Sequence, residues 1–115
     1  MSEMDDKPEG LQLDAPHWAI VSAILAKHLP GIEVWAFGSR TKGLAKPHSD
    51  LDLAVITQEP MSIQVQAALA EAFSESDLPW RVDVVDWSST QEAFRHLIAQ
   101  HKLVVQKSKD ACGDT

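Results

Sequence analysis

Two acidic residues separated by a single residue, Asp50 and Asp52, follow a Gly38-Ser39 pair after ten intervening residues. In an extended strand side chains two apart share a face, so both carboxylates would point together while Leu51 and Leu53 enter a core. Carboxylates that close repel each other unless a hard cation sits between them. Mg²⁺ takes oxygen ligands in near-octahedral geometry and usually shares them with substrate phosphates. Gly38, lacking a Cβ, lets the backbone turn sharply and approach a ligand, and a helical start after it offers N–H groups to an anion. The stretch from Trp35 to Leu53 therefore reads as a cradle for a nucleoside triphosphate and its metal. Arg40 and Lys42 are candidates for neutralising the β- and γ-phosphates; the bland alternative is a pair of solvated loop cations.

The elements that must position these groups are legible around them. Asp14 reads as an N-cap with Pro16 in the first turn, and Trp18, Val21, Leu25 and Leu29 recur at helical spacing. A helix over about 14–28 is expected, stopped by Pro30-Gly31. Glu33 to Phe37 is a short strand feeding the Gly-Ser turn, and Ser39 to Gly43 a short helical turn. Leu51 to Thr57 is a second strand, with Leu51, Leu53 and Val55 on one face and Asp50, Asp52, Ala54 and Ile56 on the other. Ser62 to Ser74 reads as a helix whose buried stripe includes Ile63, Val65, Leu69 and Phe73. A third strand, Arg81 to Asp86, offers a further carboxylate. Asp83 alternates with Arg81 and Val85 while Asp86 falls on the opposite face, so strand parity decides between them. Ser89-Thr90-Gln91-Glu92 is a capping-box pattern opening a last helix through Phe94, Leu97 and Ile98 to about His101. Leu103 to Val105 is an apolar segment packing back on the core.

The chain's 115 residues make one domain with little room for a separate substrate-binding domain. The domain is expected over 14–106, flanked by loose tails at 1–13 and 107–115. A net charge of −7 without a basic cluster argues against a nucleic-acid partner. No apolar run could span a bilayer, and the opening MSEMDDKPEG is acidic where a secretory leader is basic, so a cytoplasmic location without membrane contact is expected. Cys112 has no partner for an internal disulfide. His48 lacks a second His or Cys at zinc spacing and reads as solvated. The four tryptophans read as core and interface, with Trp80 and Trp87 flanking the third strand as candidates for a partner surface.

Gly38-Ser39, ten residues, then Asp50-x-Asp52 resembles the signature of the nucleotidyltransferase superfamily that shares its catalytic core with the palm of polymerase beta. Gly38-Ser39-Arg40-x-x-Gly43 followed by Ser49-Asp50-Leu51-Asp52-Leu53 is similar, more narrowly, to the minimal nucleotidyltransferases that act as antitoxins in HEPN–MNT pairs. The resemblance spans roughly residues 14–106. It implies an α/β (α+β) nucleotidyltransferase fold, a small mixed β-sheet with helices packed on it. It also implies a metal site of Asp50, Asp52 and Asp83 holding two Mg²⁺ ions about 3.5–4 Å apart, with Asp83 as general base. Gly38, Ser39, Arg40 and Lys42 would bind the triphosphate. The implied reaction moves AMP from ATP to a hydroxyl, a tyrosine of a HEPN-domain toxin, within a hetero-oligomer.

The chain itself contains no tyrosine, so a tyrosyl acceptor must belong to another polypeptide. Two other readings stand beside this one: a subunit of a two-chain enzyme modifying a small hydroxylated molecule such as an antibiotic, and a non-catalytic antitoxin that occludes its partner. Arg95 and His101 stand in an Arg-x5-His relation resembling the ribonuclease motif of HEPN domains. Those domains are all-helical, and three strands here make the relation a coincidence.

Overall fold

Helix α1 (Ala15–His28) forms where the 3.6-residue spacing places it, with Asp14 at the N-cap position, Pro in the first turn, and Trp18, Val21 and Leu25 buried. Leu29 caps its C-terminus, and Gly31 takes the positive φ that turns the chain into β1 (Val34–Phe37). The computed structural model describes residues 7–43 and 49–108; the expectations for His48, Cys112, residues 1–6 of the first tail and 109–115 of the second fall outside them. After a 3₁₀ turn at Ser39–Thr41 come β2 (Leu51–Val55), α2 (Ile63–Ser74), β3 (Val82–Asp86), a second 3₁₀ turn at Trp87–Ser89, α3 (Glu92–Gln100) and β4 (Leu103–Gln106).

The sheet is mixed, in the order β3-β2-β1-β4. β2 runs parallel to β3, the two being joined through α2, whereas β1 is antiparallel to both β2 and β4. The apolar segment expected at Leu103–Val105 is thus an edge strand. Alternation assigns the two faces. Val34, Ala36, Leu51, Leu53 and Val55, all without solvent exposure, join Trp18, Val21, Leu25, Leu69 and Phe73 in one core, so α1 and α2 cover that face. The other face carries Trp35, Phe37, Asp52, Ala54, Asp83 and Val85, and α3 covers part of it. Phe94 meets Phe37 edge-on, and Trp87 meets Trp35 likewise. Lys102 lies over Trp35 and Arg95 over Trp87, extending the ring pair at both ends.

Several expectations are corrected. Packed structure begins before residue 14: Leu11 and Leu13 are buried in the core, and the Gln12 N–H donates to the Arg40 carbonyl at 2.9 Å. Ile63 is 83% exposed, because it opens α2 and the buried side chains of that helix, Leu69 and Phe73, come later. The capping box does not form. Gln91 is the N-cap of α3 and makes no side-chain cap, while Ser89 belongs to the preceding turn and the Thr90 hydroxyl donates to the Asp86 carbonyl. The start of α2 is capped instead, Ser62 Oγ accepting from the Val65 N–H. Trp80 is buried rather than a partner surface. Arg95 donates to the Trp87 carbonyl within an α/β fold, which fits the coincidental reading of the Arg-x5-His relation.

Asp86 ties the end of β3 to the chain leaving β2. Its carboxylate accepts from the Thr57 hydroxyl, the Met61 N–H at 2.7 Å, and both the N–H and hydroxyl of Ser88. Burial would push this carboxyl up, but the hydrogen bonds from Thr57, Met61 and Ser88 outweigh it and hold the group below its ordinary value. A depressed native value gives stability that is present above the unfolded-state pKa, about 3.9, and is lost as pH falls through the native value. Asp86→Asn should therefore cost about 1–3 kcal/mol in a denaturant titration at neutral pH. The deficit should close when the titration is repeated in acid below the native value; a constant deficit at both would argue against this account.

Candidate functional site

The site is assembled by register. Leu51 and Leu53 are anchored in the core with no solvent exposure, so Asp52 between them must emerge on the opposite face. There it has Phe37 of β1 as antiparallel partner and Asp83 of β3 as parallel partner. Two carboxylates thus stand side by side on adjacent strands, where like charges directly opposite are destabilising. Asp50 lies exposed one residue before β2, close enough to act on Asp52. The Asp52 carboxyl is raised above its ordinary value, first by burial and then by the charges of Asp83 and Asp50.

Gly38 closes the third side. Its φ of +90° belongs to a region that side-chain-bearing residues rarely adopt, and a Cβ there would overlap the Asp52 carboxylate. Glycine is therefore required twice over, by conformation and by contact. The turn after it, Ser39–Thr41, is closed by the Thr41 N–H and hydroxyl, both donating to the Gly38 carbonyl at 3.0 and 2.8 Å. Thr41 also donates to the His101 carbonyl at 3.2 Å, attaching the turn to the end of α3. Ser39 is half-buried at the head of this turn, and Lys42 is exposed at its end.

Arg40 departs from the expectation of a phosphate-facing or solvated cation. It is 6% exposed; Nε and Nη2 donate to the Ser49 carbonyl at 3.0 and 2.8 Å, and Nη1 to the Gln12 carbonyl at 2.8 Å. Its guanidinium lies 4.4 Å from the centre of the Trp80 ring, which His17 meets edge-on. Burial lowers its pKa, with Asp14 and Asp50 acting the other way. The charge is committed to holding backbone.

The choice between the two β3 aspartates follows from the same register. Asp83 is level with Asp52, whereas Asp86 is level with Val55 on the core face and satisfied by Thr57, Met61 and Ser88. Among the described residues no three His, Cys, Asp or Glu side chains converge closely enough to enclose a metal ion by themselves. The donor set nonetheless suits a hard divalent cation, being all carboxylate with one member disfavoured as a bare anion. Sequence reasoning missed Phe37 beside Asp52 with Phe94 packed on it, and Trp80 against Arg40. Only their contacts across the fold bring them to the site.

No helix among the described residues is long and apolar enough to cross a membrane. The chain matches the family model described as polymerase beta, nucleotidyltransferase, over residues 21–110. It is 50% identical over 99 residues to the probable protein adenylyltransferase MntA of Haemophilus influenzae, covering 86% of this chain and 87% of that protein. A chain from the crystal structure of a toxin–antitoxin with AMP-PNP superposes with a TM-score of 0.67 at 21% identity, covering 81% of this chain and 75% of the other. A chain from the complex of tri-AMPylated Shewanella oneidensis HEPN toxin with MNT antitoxin gives 0.58 at 20% identity, covering 80% and 71%. At those identities the structural matches speak for the fold. With the family model over most of the sequence and half the aligned residues shared along nearly all of both proteins, the chain belongs to the polymerase beta nucleotidyltransferase family.

Proposed function

We propose that this chain moves AMP from ATP to a hydroxyl of a partner protein, a tyrosine of a HEPN-domain toxin, and so acts as the antitoxin. The observation that carries the reading is the register that sets Asp52 beside Asp83 and against Gly38. It is supported by the 50% identity to a protein named a probable protein adenylyltransferase, and by structural neighbours that are toxin–antitoxin complexes.

Asp50, Asp52 and Asp83 would hold Mg²⁺, which when bound supplies charge neutralisation for the triphosphate and acidifies an acceptor hydroxyl. Gly38, lacking a Cβ, lets the triphosphate approach the backbone where the Ser39–Thr41 turn begins. Asp83 is the proposed base: it takes the acceptor's proton as that oxygen bonds to the α-phosphorus and pyrophosphate leaves. Lys42 is retained as a phosphate-facing candidate. With no tyrosine in the chain, the acceptor arrives on another molecule.

A place for that molecule lies beside the carboxylates. An open groove lined by Val85, Ser89, Thr90, Gln91 and Phe94 begins two residues along β3 from Asp83. Phe94 in that lining is 40% exposed, and Leu97 of the same helix is 62% exposed. Exposed apolar side chains next to a reactive centre suit a protein acceptor better than a small polar antibiotic.

Two outcomes are expected. Asp52 has a raised native pKa, so its charged form is penalised on folding, and stability falls as pH rises from the unfolded value through the native one. Asp52→Asn should therefore raise the thermal midpoint of the nucleotide-free protein at neutral pH while lowering AMP transfer by about 100-fold or more. Transfer to the toxin, followed by the mass of the added AMP, would sink the proposal if it persisted in the variant. Toxin neutralisation that survived loss of all three aspartates would favour occlusion without catalysis. Leu97→Asp should leave the midpoint nearly unchanged, as exposed substitutions do within about 0.5 kcal/mol. It should weaken the complex with the toxin by about tenfold or more in calorimetric titration; unchanged affinity would move the partner surface elsewhere.

A further inference from the structure

Arg40 makes contact with the lead-in to every element of the site. It belongs to the turn that begins at Gly38 and Ser39. Two of its nitrogens donate to the Ser49 carbonyl, the peptide group immediately before Asp50. Its planar face rests on Trp80. The next residue, Arg81, accepts the Leu51 N–H at 2.9 Å through its carbonyl, and the chain then enters β3 at Val82, one residue before Asp83. A reciprocal pair with Gln12, N–H to the Arg40 carbonyl and Nη1 to the Gln12 carbonyl, fixes the arginine from behind between buried Leu11 and Leu13.

We propose that Arg40 is a positioning residue: it sets the distance between the Gly38-Ser39 turn and the three carboxylates by clamping the Ser49 carbonyl and Trp80 from one rigid guanidinium. This rests on the reading that those groups form the nucleotide site. The chemistry of the contact favours arginine. A guanidinium can offer two parallel N–H bonds to one carbonyl, a third to another, and a flat face to an indole ring; a lysine ammonium has none of that fixed geometry. Because the charge is spent within the protein, the effect on catalysis is through placement, where a shift of about 1 Å can cost on the order of 100-fold in rate.

The test compares Arg40→Lys with a core variant on α1, Leu25→Val or Leu25→Ala, whichever matches its thermal midpoint. Three readouts are taken: amide hydrogen exchange of peptides covering 49–53 and 80–84 without nucleotide, the midpoint shift produced by Mg²⁺ with a non-hydrolysable ATP analogue, and the AMP transfer rate. Arg40→Lys should speed exchange in those two peptides by about tenfold, lose most of the analogue-induced shift and lower transfer by about 10- to 100-fold. The matched core variant should keep all three near wild type. Equal behaviour of the two variants overturns the proposal. If Arg40→Lys does not yield folded protein, Trp80→Leu, which removes the platform and leaves the hydrogen bonds, takes its place in the same comparison. A wild-type protein showing neither an analogue shift nor transfer would count against the nucleotide site itself, while the exchange data would still decide whether Arg40 holds the frame.

Discussion

The structure depends on a repulsion that it does not relieve internally. Leu51, Leu53 and Val55 face a core that excludes solvent completely, and a strand so pinned has no freedom to slide or roll. Asp52 is delivered to the opposite face as a consequence, level with Asp83. Apolar burial on one side thus holds like charges together on the other. Each buried leucine or valine contributes about 1.5–3 kcal/mol, which readily exceeds the repulsion between half-buried Asp52 and exposed Asp83. The contrast with Asp86 is instructive. That carboxylate lies on β3, three residues beyond Asp83, and is fully engaged with Thr57, Met61 and Ser88. The chain can satisfy an aspartate where it needs a structural joint, and it leaves Asp52 disfavoured as an anion where the proposed ligand belongs.

What could be read from the sequence was what is local. The α1 stripe is set by a 3.6-residue period and the two faces of β2 by a period of two, and both are properties of neighbouring residues. The parity of β3 separated Asp83 from Asp86 for the same reason. The Gly-Ser pair announced a sharp turn because no other residue tolerates the Gly38 conformation against Asp52.

What escaped was decided by distant contacts. Nothing near Ile63 says that α2 buries only residues beyond its first turn, and nothing near Leu11 and Leu13 says that the segment before α1 is drawn inward by Arg40. The apparent capping box at Ser89 failed because Asp86 and Thr57 had already drawn that stretch into a 3₁₀ turn. Arg40 is the sharpest instance. A cation after a Gly-Ser turn suggests phosphate, and only the Ser49 carbonyl and the Trp80 ring reveal that its donors are used elsewhere.

That commitment bears on how a triphosphate would be held under the proposed reading. The chain carries a formal charge of −7, and the turn that would receive the phosphates has its arginine directed inward, leaving Lys42 exposed at the far end. Backbone N–H groups and one lysine are a weak counterpart to a triphosphate beside three carboxylates. Attraction must come from a cation that the acidic groups themselves recruit, so the repulsion at Asp52 and the affinity for nucleotide would be two sides of one balance. The same reasoning extends to the acceptor. The face bearing the carboxylates is covered by α3 only in part, and that helix leaves Phe94, which meets Phe37, and Leu97 exposed. A partner seated there would bury apolar surface and shield the reacting groups from water in one step, which strengthens every electrostatic interaction within. On this view the short chain is one wall of a site, and its core on the α1–α2 side is what keeps that wall in shape before the other arrives.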